Sequence, residues 1–184
     1  YLLGKEPFPF DLLYWNSDST RMPAAMHSFY LRNMYQRNLL ARPGGIELDG
    51  VPIDLTLNRT PTFILSTRED HIAPWKSTYA ATQLYKGPIK FVLAASGHIA
   101  GVVNPPAAQK YGHWVGKEKG GKDYPPSPDE GRTKAENRPG SWWPEWRGWL
   151  RQYDDGEVPA RKPGSGKLKP IEDAPGSYVL VKAQ

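Results

Sequence analysis

Two apolar runs, each opening into a polar loop, constrain the fold of this sequence more than any other feature. Thr62-Phe63-Ile64-Leu65 is near-continuous and rich in β-formers, and it runs into Ser66-Thr67-Arg68-Glu69-Asp70-His71. Ile89, Phe91, Val92 and Leu93 form the second run, which passes into Ala94-Ala95-Ser96-Gly97-His98. Between them Pro74 opens a helix carrying Trp75, Tyr79 and Leu84, and Gly87-Pro88 closes it. Near-continuous apolar runs are the mark of strands buried on both faces, and strand, loop, helix, strand is the unit of a parallel sheet. Both polar loops then lie at the C-terminal ends of the strands, where open α/β sheets place their sites. The expected fold class is α/β.

The flanks are less regular. Residues 1–21 alternate Phe8, Phe10, Leu12, Leu13, Tyr14 and Trp15 with Pro and Asp, and read as packed loop. Pro23 stands where a first helical turn would begin, Met26, Phe29, Tyr30 and Met34 follow at helical spacing, and Pro43-Gly44-Gly45 stops the run. This predicts an amphipathic helix over roughly 23–41. Val51-Pro52-Ile53-Asp54-Leu55 reads as a short edge strand or connector. Residues 104–140 are rich in Pro, Gly and Lys without a convincing period, and read as an irregular insertion. Ser141 can cap a final helix with Pro144 in its first turn and a stripe of Trp142, Trp146, Trp149, Leu150 and Tyr153, a face expected to dock on the sheet. The last segment, 156–184, is a Pro/Gly/Lys-rich tail whose Gly176-Ser177-Tyr178-Val179-Leu180-Val181 could form a terminal strand.

Composition narrows the function classes. No stretch approaches the roughly 18 consecutive apolar residues of a membrane span, and the N-terminus lacks the basic and apolar regions of a signal peptide. The chain starts without Met, inside ordinary globular sequence, as a fragment would. Zero cysteines exclude disulfides and thiolate metal sites within these residues. The net charge of +5 is modest, and much of it (Arg161, Lys162, Lys167, Lys169, Lys182) sits in the tail, which favours a solvated tail over a phosphate-binding surface.

Asp70 and His98 are the candidate chemical pair. A general base must be held in one tautomer, and a carboxylate on the other ring nitrogen does this while stabilising the imidazolium. In α/β-hydrolases the chain order is nucleophile, acid, His, and here the acid loop precedes the His loop by one strand–helix–strand unit. Gly97 fits a tight strand-to-loop turn. The nucleophile should lie upstream, yet there is no Gly-x-Ser-x-Gly and no cysteine, while Ser17, Ser19 and Ser28 lack a strand–turn–helix context. Glu69 and His71 beside Asp70 lack the further ligands a metal would need. His27 and His113 carry no spacing signal and read as surface or satisfied groups. Gly116 to Lys122 has phosphate-loop spacing, but Asp123 stands where Ser or Thr is required and no buried strand precedes it, so a charged loop is the better reading. The Trp cluster could serve as a stacking platform, but Arg147 and Arg151 are too few for such a surface.

The strings Arg68-Glu69-Asp70-His71-Ile72-Ala73-Pro74-Trp75 and Ser96-Gly97-His98-Ile99-Ala100-Gly101-Val102-Val103-Asn104-Pro105-Pro106 resemble class I poly(R)-hydroxyalkanoate synthases. Asp11-Leu12-Leu13-Tyr14-Trp15-Asn16, Tyr30-Leu31-Arg32-Asn33 and Gly140-Ser141-Trp142-Trp143-Pro144 carry the same resemblance, which fades over 116–138. The resemblance implies the C-terminal part of an α/β-hydrolase fold: 1–57 the end of a cap subdomain, 58–155 late core strands and helices interrupted by the 104–140 insertion, then the tail. It implies a bacterial cytoplasmic, granule-associated acyltransferase that polymerises (R)-3-hydroxyacyl-CoA through a cysteine in a Gly-x-Cys-x-Gly elbow upstream. His98 would be the general base, Asp70 would orient it or help deprotonate the monomer's 3-hydroxyl, and Asn38 would lie near the CoA path. Trp15 and its neighbours would pack at a homodimer contact made by the cap. No cofactor or metal is implied, since the CoA thioester is the substrate, and neither is nucleic acid. A serine esterase or lipase, and a non-catalytic module binding a granule or partner, are the competing readings. A sheet cut before its late strands would expose edges, so the isolated 184 residues are expected not to persist folded alone.

Overall fold

A computed structural model describes Gly4, residues 21–116 and residues 123–181. Trp15 and the rest of the 5–20 stretch, most of the charged loop at 117–122, and Lys182 lie outside the described residues. The chain divides into two compact units, Tyr1–Pro144 and Glu145–Gln184.

The first unit is mixed α/β. Helix α1 (Ala24–Tyr30) starts behind Pro23 and widens into a π-helix over Leu31–Gln36, with Arg37 N–H reaching back to the Arg32 carbonyl. The sequence predicted one regular helix to residue 41. Instead Asn38 takes a left-handed conformation (φ 48°) and a 3₁₀ turn follows at Leu39–Ala41. None of the α1 or π-helix residues is buried, so no packed face holds the run to the α period. The wider turn sets residues five apart together, and Tyr30 meets Tyr35 edge-to-face at 5.2 Å.

Strands β1 (Glu47–Leu48) and β2 (Val51–Pro52) form a two-residue hairpin where sequence reading found only a strand or connector. Asp49-Gly50 makes its turn, both at positive φ, the backbone that Asp-Gly hairpin turns require. Next come β3 (Thr62–Thr67), two short helices α2 (Trp75–Tyr79) and α3 (Ala81–Leu84), and β4 (Ile89–Ala94). β3 and β4 are parallel, in register from Thr62↔Ile89 to Thr67↔Ala94, as the two apolar runs required.

The stretch 104–140 departs from expectation. It contributes β5 (Gly112–Val115), helix α4 (Pro128–Lys134) and β6 (Glu136–Pro139), giving a four-stranded sheet in the order β3-β4-β5-β6 with both later pairings antiparallel. The strands are four residues long, and β6 carries Glu136, Arg138 and Pro139 on an edge, so no apolar alternation announces them. The start of α4 did have a signal. Ser127-Pro128-Asp129-Glu130 is a capping sequence, with the Ser127 hydroxyl accepting from Glu130 N–H at 3.4 Å.

One face of the sheet carries the core: Ile64, Ile89, Phe91 and Leu93 from the strands, Trp75 and Tyr79 from α2, and Tyr124 from the supposed insertion. Gly131 approaches Tyr79 so closely that any side chain there would strike its ring. The Tyr79 hydroxyl donates to the Pro125 carbonyl at 2.8 Å. Buried Tyr124 continues the ladder of β4 where β5 ends. Its hydroxyl accepts from Phe91 N–H at 2.9 Å and donates to the Ile89 carbonyl at 3.2 Å.

In the second unit, α5, which begins at Trp143 in the first unit and runs to Leu150, has no buried residue; Trp146 and Leu150 are exposed, as is Tyr153 beyond its end. Of the stripe read from the sequence, Trp142 and Trp149 are half-buried. The terminal strand is corrected. Ser177–Leu180 is a 3₁₀ turn, entered through Gly176 at φ 82° and tied down by the Ser177 amide and hydroxyl donating to Glu172 Oε1. No strand among the described residues pairs with it.

Replacing Tyr124 by Phe keeps the ring and leaves two buried backbone groups of β4 without their partner. This substitution is expected to lower stability by about 1–3 kcal/mol, measured by urea unfolding.

Candidate active site

The parallel pairing does not stop with the strands. Arg68 N–H donates to the Ala94 carbonyl at 2.8 Å and Glu69 N–H to the Ser96 carbonyl at 3.0 Å, so the two loops leave the sheet fastened to one another. Ser96 then turns the second chain at φ 74°. The sequence pointed to Gly97 for that turn, but Gly97 has no positive φ, and a Cβ added there would make only an ordinary contact, with the Glu69 carbonyl. Two residues further on, His98 faces Asp70, and its Nδ1 lies 2.8 Å from Asp70 Oδ2.

The Asp70 side chain is 8% exposed, and both of its oxygens are occupied. Oδ1 accepts from the Ile72 and Ala73 amides, each at 2.9 Å, and Oδ2 accepts from the Thr67 hydroxyl at 3.2 Å besides meeting His98. Burial by itself raises the carboxyl pKa. The Ala73 amide, the His98 ring and the Ile72 amide outweigh it and hold Asp70 well below the usual carboxylate range. Asp70 is thus an anion throughout the neutral range. With Nδ1 engaged, His98 keeps Nε2 for other chemistry, on a side chain 46% exposed.

The His98 loop is held from two sides. Gly101 N–H donates to the Gly97 carbonyl at 2.9 Å, and a Cβ at Gly101 would come within 2.5 Å of Thr67 Cγ2 and 2.7 Å of the Ala95 carbonyl. Only glycine fits. Beyond it, the Val102 carbonyl accepts from the indole N–H of Trp142 at 3.1 Å and of Trp143 at 3.0 Å. Ser141, buried, accepts from Trp143 N–H at 3.1 Å and so fixes the start of α5, the capping role read from sequence. The sequence reading assigned Trp142 to a packing stripe and missed its polar use; paired indoles give no spacing signal for a carbonyl elsewhere in the chain.

The other candidates stay apart. Asn38 is exposed, and among the described residues no hydrogen bond links it to Asp70 or His98. Glu69 pairs with its neighbour Arg68, and His71 is exposed. Among the described residues no group of three His, Cys, Asp or Glu side chains is placed to hold a metal ion. His113, 3% exposed on β5, meets the Gly140 carbonyl through Nδ1 at 3.0 Å, while its buried Nε2 has no hydrogen-bond partner among the described residues, so it is neither a surface group nor one fully satisfied by them. No described helix is long and apolar enough to cross a membrane.

Because folding lowers the Asp70 pKa, its contribution to stability is complete above the ordinary value of 3.8 and is lost as pH falls through the depressed folded value. Urea unfolding from about pH 2.5 to 7 should show stability declining toward the acid end, and Asp70→Asn should remove that part of the slope.

No protein-family model matches the chain. Individual relatives do. The chain is 52% identical over 183 residues to the poly(3-hydroxyalkanoate) polymerase subunit PhaC of Rhizobium meliloti (strain 1021), covering 100% of the chain and 29% of that protein. It is 49% identical over 184 residues to the poly(3-hydroxyalkanoate) polymerase of Methylorubrum extorquens, again 29% of its length. Identity to the PhaC subunit of Cupriavidus necator is 44% over 188 residues, 30% of that protein. The chain spans less than a third of each of these proteins, and over its whole length it is related to a C-terminal portion of the poly(3-hydroxyalkanoate) polymerases.

Proposed function

We propose that this chain is the acid/base part of a longer α/β-hydrolase-fold acyltransferase that polymerises (R)-3-hydroxyacyl-CoA thioesters. The observation that carries this reading is the 2.8 Å contact between His98 Nδ1 and Asp70 Oδ2 at the C-terminal ends of two parallel strands. Whole-length similarity to poly(3-hydroxyalkanoate) polymerases supports the substrate class. The β3 edge not paired with β4 is where preceding strands of a hydrolase core would add, and residues 1–57 would end a cap subdomain.

In this mechanism His98 Nε2 takes the proton of a cysteine thiol supplied by the upstream part of the enzyme. The thiolate attacks the thioester carbonyl, and the departing CoA thiolate takes the proton back from the imidazolium. His98 next removes the proton from the 3-hydroxyl of the acceptor, whose oxygen attacks the S-acyl group and frees the cysteine thiolate. Asp70 orients His98 and stabilises the imidazolium. That role is favoured over direct activation of the hydroxyl because both Asp70 oxygens already accept two hydrogen bonds each. A cap would keep water from the acyl-enzyme, leaving alcohol as the acceptor. The exposed amide of Asn38 is assigned to the outer CoA path, dimerisation to the cap, and the working location to the granule surface in a bacterial cytoplasm. No cofactor is required.

In the full-length enzyme, His98→Ala is expected to lower CoA release and polymer formation by about a thousandfold or more, and Asp70→Asn by a similar order. Activity near wild type in both variants would leave a non-catalytic module as the reading. An upstream Gly-x-Ser-x-Gly, with nitrophenyl ester hydrolysis in place of CoA release, would indicate a serine hydrolase.

A further inference from the structure

We infer that Thr67 is a positioning residue for this site, an inference that rests on the proposed catalytic role of Asp70 and His98. Thr67 is the last residue of β3, 1% exposed, and paired in register with Ala94, the last residue of β4. Its two branches do different things. The hydroxyl donates to Asp70 Oδ2, the same oxygen that meets His98 Nδ1, at 3.2 Å. The methyl lies against Gly101, 2.5 Å from where a Cβ would stand, and so braces the loop that carries His98.

The carboxylate can rotate about its Cβ–Cγ bond. The Ile72 and Ala73 amides anchor Oδ1 from the loop itself, whereas Thr67 is the donor from the rigid sheet. It fixes which way Oδ2 points before His98 arrives. Because the same side chain sets the approach of the Gly97–Gly101 turn, the acid and the base are indexed to one Cβ. Valine would keep the brace and lose the donor; serine would keep the donor and lose the brace.

The test uses the full-length enzyme, with (R)-3-hydroxybutyryl-CoA as the probe substrate. Thr67→Val is expected to lower kcat by about ten- to a hundredfold with KM changed less than about threefold, since a charge-assisted hydrogen bond is lost and no substrate contact is touched. Thr67→Ser should recover kcat to within about fivefold of wild type at an unfolding midpoint no higher than that of the valine variant. If Thr67→Val fails to fold, Thr67→Ala against Thr67→Ser carries the same comparison, with loss in the first and recovery in the second. Equal losses of kcat in the serine and valine variants, or a valine variant with wild-type kcat while His98→Ala is inactive, would overturn the Thr67 role and leave the proposed function standing. A fully active His98→Ala enzyme would remove both.

Discussion

The in-register parallel pairing of β3 with β4 is the constraint on which the rest of this structure depends. Parallel neighbours end on the same side of a sheet, so the chains leaving Thr67 and Ala94 start from adjacent points. Two further backbone hydrogen bonds, Arg68 to Ala94 and Glu69 to Ser96, carry that adjacency into the loops. A slip of one residue would turn Ile64 off the core face and present Thr67 to the opposite side of the sheet. Register, core and site are one commitment.

The parts of the fold that were legible in the sequence are those whose signal is local and strong. Thr62–Leu65 and Ile89–Leu93 are apolar at nearly every position, and Asp70 and His98 were legible because each lies in the polar loop that follows such a run. β5 and β6 were not, since four-residue strands at a charged edge offer no period to find. The π-helix over Leu31–Gln36 was hidden for a different reason. Its apolar spacing is compatible with an α-helix, and the widening shows only in which backbone carbonyl each amide finds. Within the site, Thr67 and Ser96 act through a side-chain contact and a backbone angle that residue identity alone does not signal, whereas the need for Gly101 follows only once the Thr67 methyl is in place.

The aromatic residues explain how so modest an apolar content (39% hydrophobic) supports this arrangement. Tyr79 and Tyr124 are buried for their rings, yet each also donates a hydroxyl to a backbone carbonyl, that of Pro125 in the loop before α4 and that of Ile89 on β4. Trp142 and Trp143 do the same for Val102 with indole N–H groups. A small sheet cannot supply enough strand partners for long loops, and amphipathic rings supply the missing donors while filling space. Replacing aliphatic bulk by such rings is how irregular segments come to hold fixed positions here.

The Tyr124 hydroxyl has a further meaning in the order of synthesis. A nascent chain that has reached Ala94 can already pair β4 with β3, but the other side of β4 has no protein partner yet. The Phe91 amide and Ile89 carbonyl remain with water until residue 124, some thirty positions later, leaves the ribosome. Until then the growing chain presents a half-satisfied strand, the kind of surface to which chaperones and stray strands attach. The strand that leads into His98 therefore gains its last backbone partners from a side chain made well after the strand itself.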